Sequence, residues 1–361
     1  MKYVPALDGL RAISVLGVLL SHYKLGVDFD FLERALPWGH IGVRIFFVLS
    51  GFLITTILLN CRYLSEKEGL SSALLLRQFY WRRFLRIFPL FYGVIFVAYF
   101  LDMGNIREIA IYHIFYLSNT SGALTGTLKG FPPLIDPTTA HFWSLAVEEQ
   151  FYLIWPLMVL FVSRKILPAL LVVIILMSPI LRFLWFVVGY DQMYSYLPLC
   201  SDTLGLGAFL ALYRSGDYQG ILRRPIILKS IFYVSFILLL GLLWLHTADI
   251  WYRPRVIVAD FFEGIIYVFL ISFIIDSRYK KLNKILENNI LRYIGTISYG
   301  IYILHAFSPH IFRYFFVIDT EPSILMFFVY TLISILMAAL SYKIYEAPLN
   351  KFKKYFPYDY R

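Results

Sequence analysis

Charge is the scarcest feature of this sequence. Of its 361 residues, 16% are Asp, Glu, Lys or Arg, whereas soluble domains carry about 25%. Hydrophobic residues make up 60% and aromatic residues 19%. The mean hydropathy is +0.69. That composition excludes a soluble globular enzyme, and it excludes a disordered chain, which needs low hydrophobicity. Cysteine is nearly missing. Cys61 and Cys200 form no C-x-x-C and no metal spacing, so a disulfide framework is excluded. Other signatures are missing too. There is no G-x-S-x-G nucleophile elbow and no H-E-x-x-H, and Gly205-x-Gly207 lies in an apolar run instead of following a strand. No internal repeat, low-complexity tract or linker divides the chain. The apolar stretch from Ala12 to Leu20 has no A-x-A cleavage site and has Arg11 just before it, so it is expected to stay as a membrane helix.

What is present is a series of long apolar runs. A helical crossing takes about 20 residues, so the length allows roughly ten. The runs fall near 9–24, 41–60, 87–103, 148–163, 167–188, 201–214, 229–246, 257–275, 296–316 and 323–345. A further run, 109–117, is too short to span. The expected fold is all-α, a polytopic integral membrane helix bundle of about ten transmembrane helices. Residues 1–350 would form one transmembrane domain and 351–361 a short basic cytoplasmic tail.

The net charge is +10, and Lys and Arg lie between the apolar runs with no continuous stripe, which speaks against nucleic acid. Placing both termini in the cytoplasm puts most of the 33 basic residues on the inner side, as the positive-inside rule requires. The largest outer segment is then about 104–147.

Ionisable groups inside a membrane are costly and each needs a reason. Arg11 and His22 are eleven residues apart in the first run. That spacing puts both on one helix face, about 16 Å apart along the axis. An imidazole titrating near neutrality can activate a hydroxyl. An anchoring Arg and an interfacial His explain the same pattern. Arg82, Arg83 and Arg86 cluster at the start of the third run. Arg83 and Arg86 are helix neighbours, and paired guanidiniums suit the phosphates of a CoA thioester. A lipid-headgroup contact is the competing use.

His141-Phe-Trp-Ser-Leu-Ala-Val-Glu-Glu-Gln-Phe-Tyr152 brings His141, Trp143, Ser144, Glu148 and Glu149 to the outer edge of the fourth run. Helix capping explains part of this pattern. Two adjacent carboxylates entering lipid also suit a site or a helix pairing. Glu346 closes the last run and could pair with Arg83, Arg86 or Arg11, or serve a site. His305 and His310 are five apart, the wrong spacing for shared metal ligation, so no metal is expected. Gly205 and Gly207 suit close helix packing.

Six segments together resemble the acyltransferase 3 family of bacterial membrane O-acyltransferases. They are Leu7-Asp-Gly-Leu-Arg-Ala-Ile13 with His22; Phe46-Phe-Val-Leu-Ser-Gly-Phe-Leu-Ile54; Arg82-Arg-Phe-Leu-Arg-Ile-Phe-Pro89; the segment His141–Tyr152; Ile297-Ser-Tyr-Gly-Ile-Tyr-Ile-Leu-His305; and Tyr345-Glu-Ala-Pro348. They occur in the family's order over nearly the whole chain. The resemblance implies an O-acyltransferase, foremost an O-acetyltransferase, of the bacterial cytoplasmic membrane. Acetyl-CoA would be a donor substrate, with no cofactor permanently bound. The acceptor would be a hydroxyl of a surface or lipid-linked glycan, lipopolysaccharide O-antigen among them.

Carried residue by residue, the family's Arg-x10-His falls on Arg11 and His22, with His22 the catalytic group as base or transient acyl carrier. Its Arg-x-x-Arg falls on Arg83 and Arg86, thought to bind acyl-CoA together with Arg82. Its late Glu falls on Glu346, grouped with the catalytic residues. The acceptor is expected near His141, Trp143, Ser144, Glu148 and Glu149.

Two departures stand out. Arg44 occupies a position where the family often has an acid, which could suit an anionic acceptor. Some relatives append a hydrolase-like domain after this region; none is read before Arg361, so transfer is expected to use the membrane domain or a separate partner. Membrane lipid, acyl-CoA and the glycan are the expected partners, and a homo-oligomer is compatible with the sequence. The rival reading is a transporter or flippase for an acylated or glycan lipid, since buried Arg, His and Glu also serve proton-linked transport. The lack of inverted repeats argues against it.

Overall fold

The structure, a computed structural model, describes residues 3–26, 36–101, 103, 106–120, 137–189, 195–216, 225–247, 252–316 and 321–358. Much of the expected outer segment, including 121–136, and the last three residues of the expected tail lie outside the described residues.

Every regular element among the described residues is helical. In chain order they are α1 (Pro5–Tyr23), α2 (Trp38–Glu68), α3 (Ser72–Phe100), α4 (Ile106–Ile114), α5 (Pro137–Ala140), α6 (Phe142–Phe161), α7 (Leu167–Val187), α8 (Leu197–Arg214), α9 (Pro225–Thr247) and α10 (Tyr252–Ile275). Then come α11 (Lys280–Leu286), α12 (Asn289–Thr296), α13 (Ser298–Leu304), a 3-10 turn (His305–Phe307), α14 (Ser308–Phe316) and α15 (Ile324–Ser341). A π turn (Tyr342–Glu346), α16 (Ala347–Asn350) and a 3-10 turn (Lys351–Tyr355) close the chain.

Six stretches of helix are long and apolar enough to cross a membrane: Trp38–Glu68, Ser72–Phe100, Thr138–Phe161, Leu167–Val187, Ile257–Ile275 and Ile324–Tyr355. They overlap six of the ten expected runs. The run expected at 296–316 is not one helix. It breaks into α12, α13, the His305 turn and α14.

α15 shows how the bundle faces its surroundings. Leu325, Phe328, Leu332, Leu336 and Leu340 recur at helical spacing and are all exposed. Tyr330, Ser334 and Ala338 lie on the other face and are buried. An apolar outer face with a partly polar inner face is what a lipid-facing helix needs, because lipid cannot satisfy polar groups.

α8 is packed against α2, α7 and α10. It carries Gly207 against α2, where a Cβ would lie 2.0 Å from the Val48 carbonyl oxygen. Gly51 of α2 returns the contact, with Leu204 O at 1.9 Å from a built Cβ. The two backbones therefore touch, which only glycine permits.

A second seam joins α2, α7, α8 and α10 through charge. Asp260 takes Arg44 at 2.5 Å on one oxygen and His40 at 2.6 Å on the other. Arg182 pairs with Asp202 at 2.5 Å. Arg44 is 0% exposed. It therefore cannot face an anionic acceptor, as the sequence reading suggested. Its charge is matched inside the bundle, because a buried guanidinium needs a carboxylate partner.

Candidate active site

The site begins with three arginines on one turn and a half of α3. Arg82, Arg83 and Arg86 line a cavity of about 360 Å³ together with Arg11 of α1. Ser144, Glu148, Glu149 and Tyr152 of α6 form another wall, and Tyr299 and Tyr302 of α13 a third. Lys353 and Tyr358 close it from the C-terminal segment.

The four cations of the sequence reading differ in their partners. Arg11 pairs with Asp8 at 2.5 Å, three residues earlier on α1, and Tyr3 donates to the same carboxylate. Arg82 is engaged by the chain end. It donates to Lys353 O at 2.9 Å and Phe356 O at 3.2 Å, and it lies over the Tyr358 ring. Trp81 stacks on Phe356 beside it. The segment expected as a short basic tail packs against α3 through Lys353, Phe356 and Tyr358. Arg83 lies over the Tyr152 ring at 4.9 Å. Among the described residues, neither Arg83 nor Arg86 has a carboxylate within ion-pair distance. Two unpaired guanidiniums and a lysine at one cavity wall make an anion site.

The acids expected at the opposite membrane edge stand in this same cavity. Glu148 accepts from Ser50 at 2.7 Å. Ser144 meets the Tyr302 hydroxyl at 2.5 Å. Trp143 is not part of the cavity lining; its ring packs edge-on against Phe47. Glu346 lies in the π turn, accepts from Ser341 at 3.1 Å and sits against Gly300. It forms no ion pair with Arg11, Arg83 or Arg86 among the described residues. π turns are rare and recur at functional sites.

Beyond Tyr302 lies a group of three imidazoles. His22 closes α1, His305 opens the 3-10 turn and His141 precedes α6. His22 Nδ1 is 2.7 Å from His305 Nε2. Their centroids are 4.8 Å apart and their planes differ by 13°. That separation is close to the N···N distance plus two ring radii, so the rings meet edge to edge in nearly one plane. His141 lies 4.6 Å from His305 and 6.5 Å from His22 between centroids. His141 and His305 are buried, whereas His22 is exposed.

Tyr302 joins the cavity to this cluster. Its hydroxyl, which also donates to His141 O at 3.0 Å, faces Ser144 in the cavity wall. Its carbonyl receives His305 Nδ1 at 2.7 Å. In the sequence, Tyr302 and His305 stand in the family-like segment Ile297–His305 without an assigned role, and Lys353 and Tyr358 are not singled out. The i, i+3 spacing of Tyr302 and His305 within that segment is the signal for their pairing.

Among the described residues, the metal-type grouping is His40, Asp260 and Glu263, away from this cavity. Asp260 there is already bonded on both oxygens.

Comparison with known proteins gives the family. Residues 4–343 match the acyltransferase domain of the acyltransferase 3 family. The chain is 32% identical to a peptidoglycan O-acetyltransferase, OatA, of Listeria monocytogenes, over 97% of this chain and 56% of that protein. It is 28% identical to a putative O-acetyltransferase of Staphylococcus aureus strain COL, over 97% of this chain and 58% of the relative. It is 27% identical to the O-acetyltransferase OatA of Staphylococcus aureus strain NCTC 8325, over the same shares. The chain thus spans under two thirds of the length of these relatives. No solved structure matches. With residues 4–343 of its 361 covered by the family, the chain belongs to the acyltransferase 3 family of membrane acyltransferases.

Proposed function

We propose that this chain is an integral membrane O-acyltransferase, foremost an O-acetyltransferase, that takes its acyl group from acyl-CoA. The carrying observation is the cavity that gathers Arg83, Arg86 and Lys353 at one wall and ends at Tyr302, next to the His22 cluster. In this reading the protein lies in the bacterial cytoplasmic membrane, with about ten crossings and both termini inside. Arg83, Arg86 and Lys353 hold the phosphates of CoA. The pantetheine arm runs along the cavity toward Ser144 and Tyr302, whose paired hydroxyls stand between the donor and His22. That pair must part for the thioester to meet His22.

The chemistry is a proton-balanced acyl transfer. The acceptor hydroxyl gives its proton to His22 as its oxygen attacks the thioester carbonyl. The C–S bond breaks, and His22 returns the proton to the leaving thiolate. A hydroxyl and an acyl thioester go in; an ester and free CoA come out. Arg11, held by Asp8, supplies fixed positive charge at the cavity. Glu148 and Glu149 line the α6 wall of the same cavity.

The acceptor is a glycan hydroxyl. One relative's name specifies peptidoglycan, which makes a cell-wall glycan the first acceptor to try. A cell-wall acceptor takes the place here of the O-antigen that the resemblance had suggested.

The test uses inverted membrane vesicles, acetyl-labelled acetyl-CoA and a cell-wall glycan fraction. Label should reach the glycan with the wild-type chain and not with His22→Ala at equal protein level. Transfer that survives His22→Ala removes His22 from the chemistry. No transfer by the wild type from acetyl-CoA or longer acyl-CoA thioesters, with the protein folded, defeats the reading.

A further inference from the structure

His22 and His305 are 283 residues apart in sequence, yet their rings share a hydrogen bond and a plane. Two consecutive residues of α1 grip His305. His22 holds its ring, and the Tyr23 hydroxyl donates to its carbonyl at 2.6 Å. That carbonyl is within reach because α13 gives way to a 3-10 turn at His305. The Tyr23 hydroxyl also meets Ser334 of α15 at 2.5 Å, and Ser334 meets Ser308 at 2.7 Å. His305 itself is 0% exposed.

The chain of bonds has one direction. The Tyr302 carbonyl can only accept, so His305 Nδ1 carries a proton. In neutral His305 the other nitrogen, Nε2, is then an acceptor. His22 Nδ1 must therefore carry its proton toward His305. The lone pair of His22 is left on Nε2, away from His305. The bond made by one ring nitrogen decides which form the other takes.

We propose that His305 is the positioning residue for His22. It fixes the His22 ring and tautomer so that Nε2 is the basic atom, and its own Nε2 accepts the hydrogen bond from Nδ1–H when His22 becomes cationic. In a Ser-His-Asp arrangement a buried carboxylate has this place. Here a neutral imidazole takes it, anchored by the Tyr302 carbonyl. The titratable groups facing His22 from neighbouring elements are His305 and His141. Among the described residues, no Asp, Glu, Lys or Arg contacts its ring. The balance of the transfer is unchanged. The acceptor proton arrives at Nε2 and leaves from Nε2 to the thiolate, while the Nδ1 proton stays between the two imidazoles. The proposal rests on the reading of His22 as the base.

Three variants separate positioning from simple packing. His305→Gln keeps both roles, since its amide N–H can reach Tyr302 O and its amide oxygen can accept from His22. His305→Leu keeps bulk and loses both bonds. His305→Asn stays polar but its shorter arm cannot bridge both partners. The full chain in detergent is treated with diethyl pyrocarbonate across pH, and labelling at His22 is read by mass spectrometry. This readout does not depend on catalysis. Loss of the acceptor at Nδ1 destabilises the His22 cation, so in His305→Leu and His305→Asn the labelling midpoint should fall by about one pH unit, a tenfold loss of basicity. His305→Gln should stay near wild type.

Acetyl transfer by the same proteins should show kcat down about ten- to a hundredfold in the Leu and Asn variants, a part of the roughly 10²–10⁴ that general base catalysis supplies. KM for acetyl-CoA should hold, and Gln should restore most of kcat. If the His22 midpoint is the same in all four proteins, or if Gln falls as far as Leu, His305 does not position His22. A His22→Ala protein that still transfers acetyl refutes the base reading separately, because the labelling comparison keeps its meaning without it.

Discussion

Replacing Arg83 and Arg86 by Gln is the sharpest perturbation of the donor cavity. Neither guanidinium has a carboxylate within ion-pair distance among the described residues, so neither change breaks an ion pair, and the fold should tolerate both. The loss should appear in donor binding. A hydrogen bond to a charged group contributes about 1.5–3 kcal/mol. The cavity is partly open to water, so the lower end applies, or about tenfold in KM per arginine. The two residues are three apart on α3 and share one cavity wall, so their effects should be less than additive. The double variant should raise KM for acetyl-CoA by roughly thirty- to a hundredfold.

The discriminating control is acetyl-pantetheine, which carries the thioester without the nucleotide phosphates. Wild type should prefer acetyl-CoA strongly, because remote binding energy serves the reaction. The double variant should lose most of that preference while its rate with acetyl-pantetheine changes little. The assay is the initial rate of label transfer in vesicles over a range of each donor. Equal falls with both donors, or an unchanged KM for acetyl-CoA, would refute the phosphate assignment.

Gly207→Val forces a Cβ to within 2.0 Å of the Val48 carbonyl, and overpacking of this kind costs about 1–3 kcal/mol or more; thermal aggregation followed by size-exclusion chromatography should show a clear loss of folded protein. Asp260→Ala leaves Arg44 buried without its carboxylate, a loss of about 3–5 kcal/mol that should cut the yield of monodisperse protein, with Arg44→Met in the same background restoring part of it. His113, outside the expected spans on α4, is buried against Phe142, and burial pushes its pKa down to about 4. Its neutral form is the folded one, so its contribution is complete above pH 6.5 and is lost as pH falls from 6.5 toward 4. The acid limb of a melting-temperature profile should therefore be shallower in His113→Phe, and an unchanged limb would show that His113 does not set it.

Much of the helical class was legible from charge scarcity and the apolar runs. The ends of the helices were less so. Hydropathy falls where Arg62 and Lys67 or Arg77, Arg82 and Arg83 enter, but the backbone bonds of α2 and α3 continue through them. A hydropathy window therefore sees only the lipid-matched part of a longer helix. The arginine cluster and His22 were readable because local spacing carries them. Contacts that depend on tertiary packing were not. The partner of His22 is 283 residues away, and the partner of His40 is 220 away. Lys353 and Tyr358 read only as part of a short basic tail, because nothing local in the sequence shows that Arg82 and Trp81 hold the chain end. The Glu148 wall was placed on the far side because span order alone does not show how deep a cavity reaches.

The most direct measurement of the central claim is a structure of the full chain bound to a non-transferable thioether analogue of acetyl-CoA. The account predicts the phosphates against Arg83, Arg86 and Lys353, with the acyl end at the Ser144–Tyr302 pair, facing the His22 cluster. An analogue bound elsewhere, for example on the basic surface at Lys281 and Lys284, with the arginine-lined cavity empty, would contradict it.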